Sequence, residues 1–163
     1  MKQLIAALAL CAFATSADAQ ITKYGVKVKE AKHVDFASFK TYTWTVSLPS
    51  VIPGIDAVVT AAIERELTNL GMTKVASGGD VLVTYTSLNR TDVNLKAKRD
   101  ADGLYPERWV GTLVISFLDP ANQRPLLKLR MDRPIDIEPA PLEASIDEAV
   151  VILFARYPTR QQR

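Results

Sequence analysis

The residues that could support catalysis are few and lie apart along the chain. His33 is the single histidine of the sequence, and Asp35 follows it two positions later. Hydrolytic catalysis usually combines a base that titrates near neutral pH with a neighbouring nucleophile, and no nucleophile motif accompanies this pair. A hydrolytic site at His33 would need a hydroxyl and a carboxylate brought to it by tertiary contact. Without them, His33 is a surface residue at the end of a strand.

The residue pattern gives little support for a metal site. The stretch DADG, residues 100–103, offers carboxylate oxygens to a hard cation. It lacks the later oxygen donors of a calcium loop, and Asp-Gly is typical of a tight turn. A single histidine, with no cysteine after position 11, cannot build a zinc site. We therefore predict no metal and no cofactor.

The acidic segment RMDRPIDIE, residues 130–138, raises the question of paired carboxylates. Its acids Asp132, Asp136 and Glu138 alternate with the apolar residues Met131, Ile135 and Ile137. Paired carboxylates do acid and base chemistry only in a cleft that fixes their spacing. Alternation is instead typical of a strand with one solvated face, and we interpret these acids in that way. No residue is thus assigned a catalytic, cofactor-binding or metal-binding role.

The first nineteen residues have the anatomy of a secretory signal peptide. A lysine at position 2 precedes an apolar run over residues 4–13, which is too short to span a bilayer. Ala17 and Ala19 then form the A-x-A pattern of a cleavage site. We predict a signal peptide over residues 1–19 and one exported, periplasmic domain over residues 20–163.

Cys11 offers an alternative, since envelope proteins are often anchored by a lipid on a cysteine that follows a short apolar segment. Leu10 stands where such a signal needs a small residue, and cleavage there would leave barely two helical turns of apolar chain. Lipid anchoring at Cys11 is therefore the second interpretation, and the soluble exported product is the first.

Charge and hydropathy exclude two classes of partner. The formal net charge is +2, which is too small an imbalance to predict nucleic-acid binding. Beyond the leader, no segment approaches the roughly 20 consecutive apolar residues of a membrane-spanning helix. We therefore predict neither a nucleic-acid partner nor a membrane span.

Periodicity gives the elements that must position any site. Alternation predicts strands in KYGVKVKEAK and TYTWTV, with Asp35 capping a helical turn between them that places Phe36 and Phe39 on one side. The aromatic residues of VDFASFKTYTW, residues 34–44, are therefore expected to fill the core. Apolar residues at helical spacing predict a helix over residues 55–70, with Asp56 and Glu64 on its solvent face and Gly71 at its end.

The second half of the chain predicts strands followed by a last helix. VLVTYTSL, residues 81–88, is a buried strand, and WVGTLVISFLD with PLLKLRMD forms a β-hairpin in which Leu127, Leu129 and Met131 face inward. PLEASIDEAVVILFARYP is an amphipathic helix that Pro158 ends. The predicted class is α+β, a mostly antiparallel β-sheet with two amphipathic helices packed on one face.

Three stretches support a family resemblance: DFASFKTYTW, GTLVISFLD and ILFARYP, in this order. They resemble the bacterial envelope family called domain of unknown function 4136, whose members look secreted or lipid-anchored. The resemblance implies a fold and a cellular address, and no activity. Two departures matter. LLKLRM lacks the tryptophan common in the second arm of the hairpin, and we expect the chain to lack the lipobox cysteine that many members carry.

Two functional hypotheses remain open. In the first, the chain is a non-catalytic envelope protein that binds an envelope protein or an apolar ligand, either at a strand edge or in a groove between helices and sheet. In the second, it is a periplasmic hydrolase with a site assembled around His33. The first predicts a pocket without convergent titratable groups, and the second predicts His33 in a cleft with a carboxylate and a hydroxyl.

Overall fold

Six strands and two helices follow one another in the part of the chain that the structure, a computed structural model, describes: residues 24–48 and 50–160. In chain order they are β1 (Gly25–Glu30), β2 (Thr41–Trp44), α1 (Ile55–Asn69), β3 (Thr73–Lys74), β4 (Val81–Val93), β5 (Glu107–Leu118), β6 (Pro125–Pro134) and α2 (Pro139–Phe154), followed by a 3-10 turn at Pro158–Arg160. The predicted signal peptide, its cleavage site and Cys11 lie outside the described residues.

The strands form one sheet in the order β1-β6-β5-β4-β2-β3. The pairs β1–β6, β6–β5 and β5–β4 are antiparallel, whereas β2 is parallel to both β4 and β3. Parallel neighbours need a crossover connection, and α1 supplies it between β2 and β4. The predicted α+β class with a mostly antiparallel sheet is confirmed, and the parallel pairing of β2 is a feature that the sequence pattern did not predict.

One hydrophobic core lies between the helices and the sheet. Alternate residues of the long strands point into it, including the predicted inward residues of the hairpin: Leu127, Leu129 and Met131. Because all of these side chains leave the sheet on the same side and meet buried residues of both helices, α1 and α2 cover one face, which we call the inner face. The opposite, outer face carries the polar residues of the same strands.

The aromatic segment between β1 and β2 belongs to this core, as predicted. Phe36 and Tyr42 are buried, while Phe39 and Trp44 are partly buried against them. The ring of Phe36 lies edge-to-face against Phe39 and Tyr157, with centroids 5.8 and 5.9 Å apart. The segment that follows Asp35 forms a non-helical turn and not the predicted helical turn. The Asp35 carboxylate caps it by accepting the N–H of Ala37 at 3.0 Å.

Both predicted helices are present, with small differences in length. α1 ends at Asn69, and Gly71 follows with a φ of 81°, the left-handed conformation that favours glycine after a helix. α2 ends at Phe154, before the tight turns that lead to Pro158. The two helices pack against each other, and an ion pair of 3.1 Å joins Arg65 of α1 to Asp147 of α2 on their exposed surface.

Candidate functional site

A cleft opens between the first turns of both helices and the inner face of β4, β5 and β6. Its cavity volume is small, about 50 Å³, and the cleft is open to solvent at its mouth. The buried side chains that line it are apolar: Ile55, Val59, Leu113, Met131, Leu142 and Ala149. Mainly apolar walls with a few polar groups are characteristic of small-molecule sites. The cleft therefore has the lining of a pocket for an apolar group.

A second ring of lining residues is more exposed and defines the mouth. Its apolar members are Val51, Ile52, Leu88, Ile135 and Ile146. Gly111 of β5 also lines the cleft, next to Ile135. A Cβ atom at position 111 would lie 3.0 Å from the Ile135 side chain. The missing side chain at Gly111 therefore leaves room for Ile135 to fold over the sheet and close one side of the cleft.

The polar groups of the cleft are mostly neutral: Ser50, Ser87, Asn89 and Ser145. Among the described lining residues, Arg133 is the one charged side chain, and its Nη1 donates to Glu148 of α2 at 2.7 Å. No lining residue in the described ranges is a carboxylate, histidine or cysteine. Acid–base catalysis relies mainly on such groups close to the bound molecule, and the described lining offers only neutral hydroxyl and amide groups and one arginine.

The structure places His33 away from the cleft. It follows β1 in an exposed turn, with a φ of 63°, and it is not among the lining residues. Asp35 is used as the local turn cap described above. Within the described part of the chain, the arrangement required by the hydrolase hypothesis, His33 in a cleft with a carboxylate and a hydroxyl, is not formed.

Asp132 corrects one prediction from the sequence. The alternation in RMDRPIDIE predicted a solvated acid, and Asp132 does lie on the outer face, opposite Met131. Its side chain, however, is only 2% exposed. Arg130 donates to both carboxylate oxygens at 2.7 and 2.8 Å, and the Thr112 hydroxyl and Arg90 add hydrogen bonds of 2.6 and 3.3 Å. We call these four residues the Asp132 cluster.

The Asp132 cluster spans β4, β5 and β6 and fixes the protonation state of its acid. The hydrogen bonds from Arg130 outweigh the effect of burial and hold the pKa of Asp132 well below its usual range. The same contact raises the pKa of Arg130. Asp132 is therefore a permanent anion at physiological pH with its oxygens occupied, which suits a strand-clamping role and cannot supply a proton donor or acceptor.

Two acids of α1, Asp56 and Glu64, were predicted on the solvent face of the helix but are partly buried. The Tyr85 hydroxyl donates to Asp56 and the Trp44 indole N–H donates to Glu64, both at 2.7 Å. Lys74 donates to Glu64 as well, at 2.6 Å, and lowers the pKa of Glu64. These acids flank the buried stripe of the helix. A 15-residue amphipathic pattern does not separate such flanking positions from fully exposed ones.

The remaining candidate motifs are turns. In DADG, the Asp100 carboxylate accepts the N–H groups of Asp102 and Leu104 at 3.0 and 2.8 Å, and Gly103 has a φ of 76°. Across the described ranges, no group of three or more His, Cys, Asp or Glu side chains could hold a metal ion. No helix in those ranges is long and apolar enough to cross a membrane.

Together these features describe an α+β protein whose one-sided helical layer leaves an apolar cleft against the sheet. The chain belongs to the family described as Domain of unknown function (DUF4136), whose family model matches residues 26–159. This confirms the resemblance seen in the sequence. No curated protein matches the chain by sequence.

Two solved structures show a similar fold. A PDZ domain protein from Parabacteroides distasonis is 18% identical, with a TM-score of 0.60 over 83% of this chain, which spans only 35% of the length of that protein. A PelC dodecamer from Paraburkholderia phytofirmans is 9% identical, with a TM-score of 0.55 over 80% of this chain and 95% of the other. At these identities the similarity concerns the fold alone.

The cleft itself was not found from the sequence, although a binding groove between helices and sheet was one of the hypotheses. Its walls come from five separate elements. The spacing of the apolar wall residues along each element is the same as that of residues in a filled hydrophobic core. The one local signal is Gly111 within a strand, because a glycine inside a β-strand often marks a close approach of other atoms.

Proposed function

We propose that this chain is a non-catalytic binding protein of the bacterial cell envelope that holds an apolar ligand in the cleft between its helices and its sheet. The observation that carries the proposal is the lining: buried aliphatic side chains, neutral hydroxyl and amide groups and, among the residues the structure describes, no carboxylate, histidine or cysteine. The envelope address is supported by the signal-peptide anatomy of residues 1–19 and by membership of the family.

A ligand in the cleft is favoured over a peptide added to the sheet edge. β1 is an edge strand, and its exposed residues include Lys27 and Lys29. Lysines on an edge strand discourage pairing with another chain. The cleft, in contrast, has buried apolar walls on several sides, so an apolar group that enters it leaves water, which is the main driving force for such binding.

Binding of an uncharged apolar dye, N-phenylnaphthylamine, tests this function by fluorescence titration. Ser145 lines the mouth of the cleft from α2, whereas its neighbour Ala144 is exposed and does not line it. We expect the unmodified protein and the Ala144→Phe variant to bind the dye equally. Ser145→Phe should weaken binding at least tenfold, because the ring occupies the mouth.

The result that would overturn the proposal is either no binding by the unmodified protein or equal binding by Ser145→Phe and Ala144→Phe. Circular dichroism of both variants controls for folding, and neither position is buried.

A further inference from the structure

Charge is distributed unevenly in the cleft. The buried walls are apolar, and the single charged side chain among the described lining residues, Arg133, lies at the partly exposed end of β6. The side chain of Arg133 is 32% exposed, so it lines the cleft and also reaches water. An apolar interior below one cation matches a molecule with an apolar body and one anionic end.

Arg133 retains hydrogen-bonding capacity for such an anionic end. A guanidinium carries five N–H donors in a planar fork, and Nη1 is the nitrogen that donates to Glu148. Glu148 is 59% exposed, and ion pairs this exposed contribute little net free energy. A ligand carboxylate can therefore share the guanidinium with Glu148 or replace it at small cost.

We propose that the cleft binds a single-chain carboxylate amphiphile of the fatty-acid type, with its alkyl chain among the buried aliphatic side chains and its carboxylate on Arg133. This inference rests on the function proposed above and specifies its ligand. Asn89 and Ser145, at the same mouth, are neutral groups that can donate further hydrogen bonds to a carboxylate. Glu148 repels the ligand head and so limits its affinity.

Isothermal titration calorimetry with decanoate and decanol tests the proposal, because the two ligands share one chain and differ in charge. Arg133→Gln should weaken decanoate binding about tenfold, the effect of one charge-assisted hydrogen bond, and leave decanol within twofold. Glu148→Gln should strengthen decanoate binding by two- to fivefold and leave decanol unchanged. The opposite signs of these two effects separate a direct charge contact from damage to the fold.

Arg65→Gln is the matched control. Arg65 of α1 forms an exposed ion pair with Asp147 of α2, the helix that also carries Glu148, and it does not line the cleft. We expect it to bind both ligands as the unmodified protein does.

Two results would overturn the proposal, and they are distinguishable. If decanoate and decanol bind alike and neither substitution at Arg133 or Glu148 changes decanoate affinity, the carboxylate assignment is wrong while the apolar cleft stands. If neither ligand binds the unmodified protein, both the ligand class and the proposed function are wrong.

Discussion

At the scale of single residues, Asp132 shows how a buried acid is accommodated without a catalytic role. Its carboxylate is saturated by two arginines and one threonine from three neighbouring strands. Burial alone would raise the pKa of a carboxyl group, and here hydrogen bonds from Arg130 lower it instead. The Asp132 cluster therefore stabilises the fold only while the Asp132 carboxyl group remains ionised.

Replacing Asp132 with Asn should destabilise the protein by about 2 kcal/mol, because it leaves Arg130 without its anion and Arg90 with Asp92 alone, and both arginines are partly exposed to water. Chemical denaturation at neutral pH measures this loss. Asp136→Asn, at an exposed position of the same segment, is the control and should be close to neutral. Equal stability of the two variants would contradict the clamping role.

The lowered pKa of Asp132 also predicts the pH dependence of stability. A carboxyl group with a folded-state pKa below its ordinary value of 3.8 stabilises the protein above that value. This stabilisation is lost progressively as the pH falls below about 4. The free energy of unfolding should thus decrease more steeply in acid for the unmodified protein than for Asp132→Asn. Parallel acid profiles for the two proteins would show that Asp132 has no special linkage.

The sequence predicted the face on which Asp132 lies and missed its burial. Strand alternation depends only on neighbouring residues, so it placed Met131 inward and Asp132 outward correctly. The Asp132 side chain is shielded from water partly by Arg90, which is 42 residues away in the sequence. It is also shielded by Thr112, which the strand pairing places directly opposite Asp132. Contacts at such separations are not encoded in a local pattern.

At the scale of elements, the helices and the long hairpin were predictable, whereas the place of β2 was not. The four-residue strand β2 lies parallel to β4, and α1 makes the crossover between them. Short connections favour antiparallel neighbours, and no local feature of TYTW signals the exception. The approach of the loop before β4 to β2, through Gly79, becomes visible only in three dimensions.

Gly79 should be intolerant of a side chain for this reason. A Cβ at this position would lie 2.7 Å from the Tyr42 carbonyl carbon and 2.8 Å from the Thr43 nitrogen, both backbone atoms of β2. Gly79→Ala should therefore cost about 2 kcal/mol through overpacking, as measured by thermal or chemical unfolding. Ser77→Ala, at an exposed position of the same loop, should be neutral. A neutral Gly79→Ala would show that this contact is not tight.

At the scale of the whole molecule, export is the prediction that links the sequence to the proposed envelope role. Signal peptidase cleavage after Ala19 would give a mature chain that begins at Gln20. Expression of the full sequence in a Gram-negative host, followed by intact-mass measurement of the periplasmic product, should give that N-terminus. A retained Met1 or a lipid on Cys11 would contradict it.

The central claim is that the cleft is a ligand site, and the methionines offer its most direct measurement. Met131 lines the cleft, whereas Met72 is buried in the same core but does not line it. In NMR spectra of the protein with isotope-labelled methionine methyl groups, adding decanol should shift the Met131 signal in a saturable manner and leave Met72 in place. An unchanged Met131 signal, or equal shifts of both methionines, would contradict the claim.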